Sequence, residues 1–204
     1  MWGTGSGGLD QPRRTELAGD ALSTARLLLG CFLQRDAVVV RITEVEAYAG
    51  TSDPASHAYA GPTPRNRVMF GPAGWLYVYR LHGHHCCNIV CGPDGQAAAV
   101  LIRGGEVVAG AAEARQRRGD LPAARLARGP GCLTRALGIT MADADTDLLA
   151  PSGTVRLYAR TREPGDISTG PRVGVSRAAD EPRRLWLTGD PTVSAYRRSP
   201  RAGR

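Results

Sequence analysis

The sequence predicts a single domain of the α+β class. Its 204 residues are enough to bury a substantial core, and a hydrophobic content of 42% fits a globular chain. Strand-like apolar runs and helix-like amphipathic stretches follow one another without the regular alternation that builds a parallel sheet. No internal repeat and no second domain is evident. We therefore expect one domain over residues 15–196, between a disordered tail at 1–14 and a basic tail at 197–204.

The first half of the chain is predicted to contain a helix, a strand and a long loop. Residues 1–14 are Gly-rich and polar and lack a hydrophobic signal core. An amphipathic pattern from Glu16 to Leu29 predicts a helix, and the next residue, Gly30, is a typical helix-ending residue. The β-branched run from Val38 to Tyr48 predicts a buried strand. The Gly-, Pro-, Ser- and Thr-rich segment 49–74 is long enough to suggest a functional loop.

The second half is predicted to contain a mixture of short strands and helices. The predicted strands are Trp75–Leu81, Ala97–Arg103, Thr154–Tyr158 and Arg183–Leu187, and the predicted helices cover Glu106–Arg118 and the end of the run GPGCLTRALGI at 129–139. The second of these helices begins at a Gly/Pro turn, where free backbone amides can hold a phosphate. The last two strands flank a loop at 170–176.

Charge and composition favour a nucleic-acid partner and exclude a membrane-spanning protein. All 26 basic residues are arginine, against 19 acidic residues, which gives a net charge of +7. Arginine suits phosphate contacts and base stacking, although a GC-rich genome also encodes arginine in place of lysine. No apolar run approaches the roughly 20 residues needed to cross a bilayer.

Five cysteines, three of them bunched, do not form a disulfide framework, so we expect a reducing cytoplasm.

Two carboxylates mark the end of the strand Val38–Tyr48. A two-residue period puts Glu44 and Glu46 on one face, about 7 Å apart at their Cα atoms. The same period predicts that they share this face with Tyr48 and with the apolar Val40 and Ile42. The pair could be acid and base for cleavage of a glycosidic bond. Alternatively, one carboxylate is structural and pairs with an arginine, while the other works or neither does.

Aromatic residues and one arginine accompany these carboxylates. Trp75, Tyr77 and Tyr79 are predicted to share a strand face, and flat rings beside a basic surface suit base stacking. Tyrosines at strand ends are also common core or edge residues. Arg103 at the end of an apolar strand is either the partner of a carboxylate or a phosphate ligand. His57 in the long loop is either solvated or functional.

The run HGHHCCNIVC at 82–91 suggests a metal site, but its spacing argues against one. Zinc sites usually present their ligands in pairs whose side chains point the same way. Adjacent Cys86 and Cys87 are expected to point to opposite faces of a strand, and Cys132 stands alone downstream. We therefore expect neither a metal nor another cofactor.

Six blocks of the sequence, in one collinear order, resemble the 3-methyladenine (alkyladenine) DNA glycosylase family. The blocks are VEAYAG (45–50), SHAYAGPTPRNRVMFGPAG (56–74), LYVYRLHG (76–83), LIR ending at 103, ARGPGCLTRALGI (127–139) and PRVGVS (171–176). The resemblance covers roughly residues 20–196. It implies a mixed domain with a curved, mainly antiparallel sheet, flanking helices and a hairpin that inserts into DNA.

The resemblance also implies an activity. Members of this family act without a metal on double-stranded DNA, flip an alkylated or deaminated purine out of the helix, and hydrolyse its N-glycosidic bond to leave an abasic site. A cytoplasmic, monomeric enzyme of base excision repair at the bacterial nucleoid is expected. Flipping is required because the reacting atoms are inaccessible inside the base stack.

Individual roles carry over by position. Glu46 resembles the general base that activates a water, Arg103 the residue that helps to place that water and contacts the target phosphate, and Val173 the residue whose carbonyl completes the water site. Tyr48 on one side, with His57 and Tyr79 on the other, would enclose the flipped base, and Asn88 would exclude guanine by crowding its amino group. The expected DNA-binding or intercalating residues are His82, Tyr77, Arg65 and Arg67.

One segment departs from the family pattern. His82 stands where the family often has a tyrosine that fills the gap left by the flipped nucleotide, and the following segment is one residue shorter than usual. Because of this missing residue, His84, His85 and Asn88 can be aligned with the family pattern in more than one way. Two other classes of function stay open on sequence alone: a non-catalytic nucleic-acid-binding module of the same fold, and an O-glycoside hydrolase using Glu44 and Glu46.

Overall fold

The apolar run Val38–Tyr48 forms the central strand of an antiparallel sheet. The computed structural model describes residues 10–203, and within this range the sheet has nine strands. In chain order they are β1 (Phe32–Arg35), β2 (Val38–Tyr48), β3 (Leu76–Leu81), β4 (His84–Val90), β5 (Ala99–Ala109), β6 (Ala127–Arg128), β7 (Val155–Tyr158), β8 (Ile167–Gly170) and β9 (Arg184–Leu187). The main path is β3-β4-β5-β2-β1-β7, while β6 pairs with β5, β9 with β2, and β8 with β9. The predicted α+β class and antiparallel sheet are confirmed.

Four α-helices flank the sheet in the described range: α1 (Arg14–Leu17), α2 (Ala21–Leu28), α3 (Ala111–Arg118) and α4 (Pro130–Leu137). The prediction of one helix from Glu16 to Leu29 is wrong, because α1 ends at Leu17 and a separate helix, α2, begins at Ala21 after its N-cap Asp20. The Asp20 carboxylate accepts hydrogen bonds from the backbone N–H groups of Leu22 and Ser23, which caps α2.

The sheet separates two apolar clusters, one on each of its faces. The larger cluster holds the helices against one face of the sheet and includes Leu76 and Val78 of β3. The smaller one lies on the other face, beneath the loop 49–74, and includes Tyr77 with Trp75 and Tyr79 packed against it. The shared face predicted for these three aromatics is therefore confirmed. The pocket described below opens on this second face.

A bulge in β2 reverses the predicted facing of its glutamates. Val40 and Ile42 belong to the main core, but beyond the bulge the core residues are Val45 and Ala47. The alternation has shifted by one residue, so Glu44 and Glu46 point away from the main core rather than into it. The predicted shared face with Val40 and Ile42 is wrong.

Two glycines on the neighbouring strand permit this bulge. A Cβ atom on Gly105 would lie 2.3 Å from a Val40 methyl carbon and 2.5 Å from the Arg41 carbonyl oxygen. A Cβ on Gly104 would lie 3.2 Å from a Glu44 carboxylate oxygen. The sequence Arg103–Gly104–Gly105 therefore lets β5 approach the irregular part of β2 closely.

Several boundaries differ from the sequence prediction. β5 continues through Arg103 to Ala109, so Arg103 lies within a strand, and the predicted helix from Glu106 begins only at Ala111. The pattern missed the strands β1, β4, β6 and β8. It located β3, β7, β9 and the helix α4 to within a residue or two.

Parts of both predicted tails contact the rest of the domain. Residues 1–9 of the N-terminal tail and Arg204 lie outside the described residues. Within 10–14, the Gln11 side chain donates hydrogen bonds to two backbone carbonyls and Arg14 pairs with Asp147 at 2.7 Å, so this part is ordered. At the other end, the Arg197 carbonyl accepts a hydrogen bond from the Gly174 N–H, which ties the start of the basic segment to the loop 170–176.

No helix among residues 10–203 is long and apolar enough to span a bilayer.

Candidate active site

A row of four side chains crosses the second face of the sheet. Tyr77 on β3 is in register with Asn88 on β4, Asn88 with Leu101 on β5, and Leu101 with Glu46 on β2. Residues in register on one face of neighbouring strands lie side by side. All four line one cavity. The sheet itself thus brings the carboxylate, the amide and the phenol together.

The cavity has a volume of about 240 Å³. This is below the range of roughly 300–1,000 Å³ typical of drug-sized ligands and suits a single small ring system. The strands provide one side of it, and the loops 49–74 and 170–176, together with Pro130 at the start of α4, provide the rest. Its lining includes Glu46, Tyr48, His57, Tyr77, Tyr79, Leu81, Cys86, Asn88, Arg103 and Val173. The structure therefore brings together every predicted catalytic and base-binding residue.

Glu46 is fully buried and held by three donors. Its Oε1 accepts a hydrogen bond of 2.7 Å from the Val173 N–H and lies 3.3 Å from Nη1 of Arg103. Its Oε2 accepts a hydrogen bond of 2.8 Å from the hydroxyl of Tyr48. A carboxylate offers about four acceptor positions on its two oxygens. In the described part of the chain, Oε2 therefore has room for one more donor.

Glu44 has a structural role. Its Oε1 accepts hydrogen bonds from Nε of Arg103 at 2.9 Å, Nε of Arg184 at 2.7 Å and the Ser194 hydroxyl at 2.9 Å, and its Oε2 accepts from the Ser194 N–H at 2.7 Å. Burial opposes ionisation of Glu44, but Arg103, Ser194 and Arg184 outweigh it and lower the pKa of the carboxyl. Glu44 does not line the cavity.

This division of roles answers the question that the sequence left open about the two glutamates. Glu44 pairs with two arginines and lies outside the cavity lining, whereas Glu46 lines the cavity. An O-glycosidase using both as acid and base would need both carboxyl groups at the substrate. The arrangement gives that reading no support.

Arg103 is the partner of both carboxylates. Besides Glu44 and Glu46, its Nη2 donates to the Ser194 hydroxyl at 3.2 Å, and the side chain is almost wholly buried. Burial opposes its charge, but the two glutamates outweigh this and raise the pKa of the guanidinium. Of the two readings of Arg103 offered by the sequence, partner of a carboxylate is the one that the geometry supports.

Tyr48 is held on one face by a buried ion pair. The Arg172 guanidinium lies 4.7 Å from the centre of the Tyr48 ring and donates to both carboxylate oxygens of Asp53, at 2.5 and 3.0 Å. It also donates to the Ala47 carbonyl at 3.1 Å. Asp53 and Arg172 are fully buried. Burial and the charge of Glu46 raise the pKa of Tyr48 well above its ordinary value, so its hydroxyl stays protonated and donates to Glu46.

Three aromatic rings of the lining contact one another: those of His57, Tyr77 and Tyr79. The His57 ring meets the Tyr79 ring edge-on, with centroids 4.6 Å apart, and its Nδ1 lies 3.0 Å from the Tyr77 hydroxyl. Desolvation and the charge of Arg65 lower the pKa of His57, so the imidazole is neutral near pH 7. Tyr77 is only 2% exposed. This burial is at odds with the prediction that Tyr77 contacts DNA by intercalation, since it places the ring inside the pocket.

The predicted DNA-contacting hairpin is the β3–β4 turn. His82 and Gly83 form its two-residue tip with φ angles of +47° and +81°, the pattern of a type I′ turn. His82 is exposed and does not line the cavity. Arg65 and Arg67 are exposed in the loop near the site; Arg65 lies over the Tyr79 ring at 5.7 Å, and Arg67 pairs with Asp145 at 3.3 Å.

The cysteines behave as buried apolar residues. Cys86 lines the cavity and Cys87 belongs to the main core, as expected for neighbours on a strand. Burial raises the pKa of both thiols, and that of Cys91 to about 12, so none of the three is a ready thiolate. Within residues 10–203, no group of three His, Cys, Asp or Glu side chains is arranged to hold a metal ion.

Sequence reasoning missed four residues that support the site: Asp53, Arg172, Arg184 and Ser194. The hydrogen bonds in which these residues and the carboxylates take part span 119 to 150 positions along the chain, so no local pattern identifies them. A partial signal exists for Arg103, because two consecutive glycines after an apolar strand suggest a bulge rather than a strand end.

Comparison with known proteins gives one consistent result. Residues 15–191 match the family model described as methylpurine-DNA glycosylase. A Mycobacterium tuberculosis (strain H37Rv) protein named "Putative 3-methyladenine DNA glycosylase" is 54% identical over 194 residues, covering 92% of this chain and 95% of that protein. Proteins of the same name from Mycolicibacterium paratuberculosis and Cutibacterium acnes are 55% and 48% identical, over 92% and 89% of this chain and 94% and 98% of their own lengths.

The Asp53–Arg172 pair yields a prediction about stability. Replacing Asp53 with Asn leaves the Arg172 charge buried without its counter-ion, and we expect the free energy of unfolding to fall by about 3–5 kcal/mol. Urea unfolding followed by circular dichroism measures this. The matched control is Asp180→Asn, which removes an exposed partner of Arg198 and should leave the urea midpoint almost unchanged. Equal shifts in the two variants would contradict the structural role of the buried pair.

Proposed function

Since the chain belongs to the methylpurine-DNA glycosylase family, we propose that its pocket receives a damaged purine flipped out of duplex DNA and that Glu46 activates the water that cleaves the N-glycosidic bond. The chain is a DNA glycosylase, a hydrolase of N-glycosyl bonds in DNA repair. The proposed substrate class is alkylated and deaminated purines, including 3-methyladenine, 7-methylguanine, hypoxanthine and ethenoadenine. The observation that carries the proposal is a fully buried carboxylate in a small, aromatic-lined cavity.

Glu46 acts as the general base. Oε2 has an acceptor position free for a water molecule, while the Tyr48 hydroxyl and the Val173 N–H fix the plane of the carboxylate. As the purine leaves, positive charge develops on the sugar, and a carboxylate at close range stabilises that charge. The water adds at C1′, its proton passes to Glu46, and the bonding electrons leave with the base. In this proposal the Val173 carbonyl is a second acceptor for the same water.

Arg103 acts mainly through Glu46. Three of its nitrogen atoms contact Glu44, Glu46 and Ser194, which leaves only its remaining Nη hydrogens for a phosphate or water. We assign it the placement of the carboxylate and, through a remaining N–H, a contact to the water or to the target phosphate. The guanidinium also supplies a counter-charge 3.3 Å from the buried Glu46 carboxyl group.

The aromatic lining holds the base. Tyr48 has Arg172 against one face, which fixes its ring in place. His57 and Tyr79 contact each other edge-on and supply further ring surface. Because the lowered pKa of His57 keeps its imidazole neutral, the pocket adds no positive charge there that would repel a cationic alkylated purine. Electron-poor purines stack well on electron-rich rings, which favours damaged bases.

Hydrolysis by water is consistent with the residues available. An amine that attacks C1′ to form a Schiff base is usually a lysine side chain. This chain contains no lysine, since all 26 of its basic residues are arginine. The product of the proposed reaction is therefore an intact abasic site and a free base.

Double-stranded DNA is the proposed partner and a monomer the proposed working unit. Arg65, which lies over the Tyr79 ring, and Arg67 are exposed and are the proposed phosphate contacts, and the net charge of +7 supports attraction to DNA. A bacterial enzyme with this activity would work at the nucleoid in the cytoplasm. A purely binding module of the same fold needs no carboxylate at the wall of the pocket, whereas a hydrolase that activates water does.

The first test concerns Glu46. We expect Glu46→Gln to lower the single-turnover rate of hypoxanthine release from duplex DNA by about 10²–10⁴-fold, because the amide cannot accept the proton of the water. Its affinity for the same DNA should stay close to that of the parent. Glu106→Gln, an exposed glutamate on the same sheet, is the matched control and should cut at the parental rate. A Glu46→Gln variant that cuts as fast as the parent would refute the assignment.

The second test concerns Asn88. Its Nδ2 donates to the Tyr77 carbonyl at 3.2 Å, which fixes the amide at the pocket floor where it is proposed to crowd the amino group of guanine. We expect Asn88→Ala to raise the release of unmodified guanine relative to hypoxanthine by about tenfold, the scale on which small steric differences discriminate. Competition between the two bases in one duplex measures this ratio. An unchanged ratio would show that Asn88 does not exclude guanine.

A further inference from the structure

The segment that follows β9 is attached to the walls of the pocket. The Val193 carbonyl accepts a hydrogen bond of 2.7 Å from Nε of Arg128, which lies two residues before the cavity-lining Pro130. The next residue is hydrogen-bonded to a buried glutamate. Further on, the Arg197 carbonyl accepts a hydrogen bond of 3.0 Å from the N–H of Gly174, another lining residue. The segment therefore runs from the start of α4 to the loop 170–176 and stays close to the cavity.

Residues 195–203, which we name the C-terminal arm, are basic and include no acidic residue. Arg197, Arg198 and Arg201 are all exposed. Arg198 pairs with Asp180 at 2.5 Å, whereas the side chains of Arg197 and Arg201 form no ion pair with any of residues 10–203. The arm thus presents two positive charges to solvent without a counter-charge in the described part of the protein.

Two further arginines beside the arm are exposed in the same way. Arg177 is two residues from the lining residue Val175, so their Cα atoms are within about 7 Å of each other. The Arg128 side chain contacts the segment before the arm, and neither arginine has an acidic partner among residues 10–203. Asp180 and Glu181, the acidic residues that follow Arg177, already pair with other arginines. This side of the pocket therefore has an excess of positive charge.

We infer that the C-terminal arm, with Arg128 and Arg177 beside it, binds the phosphate backbone of duplex DNA next to the pocket. This inference rests on the proposed function, because the pocket would take its base from that duplex. Guanidinium groups match the geometry of phosphate oxygens and donate two hydrogen bonds at once. Several exposed guanidinium groups spread along one segment suit a polyanion with regularly spaced charges better than a single small anion.

The arm is fixed in place before DNA binds. The hydrogen bond from Gly174 to the Arg197 carbonyl and the ion pair between Arg198 and Asp180 hold its first half against the loop that follows β8. A segment that is ordered only on binding pays the entropy cost of ordering from its binding energy. Because this cost is already met in the folded protein, the charges of the arm contribute more of their interaction energy to DNA affinity.

The salt dependence of DNA binding tests the inference. The dissociation constant for an undamaged duplex is measured at several salt concentrations for the parent and for the variants Arg197→Gln, Arg201→Gln and the double variant. Each single change should make the slope of log K against log salt concentration less steep by about 0.9, and the double change by about twice that, because phosphate contacts are lost. The advantage of the parent over the double variant should therefore shrink by about tenfold between roughly 50 and 200 mM salt.

Two comparisons exclude other causes. A hypoxanthine duplex, measured in the Glu46→Gln background so that it is not cut, should show the same loss, because phosphate contacts carry no sequence information. The matched control is Arg26→Gln, which removes an exposed arginine from α2. This helix packs against the face of the sheet opposite the pocket, so its slope should equal that of the parent.

Three results would overturn the inference: an unchanged slope in the double variant, single changes no larger than that of Arg26→Gln, or a loss confined to the hypoxanthine duplex. The last of these would place the effect inside the pocket. The proposed function is tested separately by release of damaged bases from the parent. A parent that releases none refutes that function, whereas the slopes on undamaged DNA still decide whether the arm binds phosphates.

Discussion

One guanidinium between two buried carboxylates is the interaction on which the site depends. Two glutamates so close in a protein interior repel each other, and neither could stay ionised there without a counter-charge. Arg103 supplies that charge to both, and Arg184 supplies a second positive charge to Glu44. Four buried charges thus sum to zero. The arrangement directs Glu46 at the cavity, while Glu44 pairs with both arginines away from it.

The same network joins parts of the chain that are far apart in sequence. Glu44 and Glu46 come from β2, Arg103 from β5 and Arg184 from β9, while Ser194 comes from the segment that follows. The Val173 N–H brings the loop 170–176 to Glu46, and the Asp53–Arg172 pair holds that loop against the loop 49–74. The charges that orient the carboxylate therefore also position the walls of the pocket, so the proposed catalytic group and the local stability depend on the same residues.

The sequence predicted which residues and elements form the site better than it predicted their geometry. The β-branched run of β2, the alternating aromatics of β3 and the short helix α4 have local patterns, and the structure contains each of them. The bulge that turns Glu44 and Glu46 away from the core depends on Gly104 and Gly105 of another strand, so no periodicity within β2 could indicate it. The helix predicted from Glu106 failed for a similar reason: pairing with β2 keeps this stretch extended as far as Ala109. The partners of Glu44 and Tyr48 are likewise distant in sequence and visible only after folding.

In the proposed function, this pocket holds a flipped damaged base against Glu46. A crystal structure of the Glu46→Gln variant bound to a duplex with one hypoxanthine tests that claim most directly. We expect the hypoxanthine ring to lie in the cavity beside Tyr48, His57 and Tyr79, with a water molecule between residue 46 and C1′ of its sugar. A hypoxanthine that remains stacked in the duplex, or one bound away from this cavity, would contradict the account.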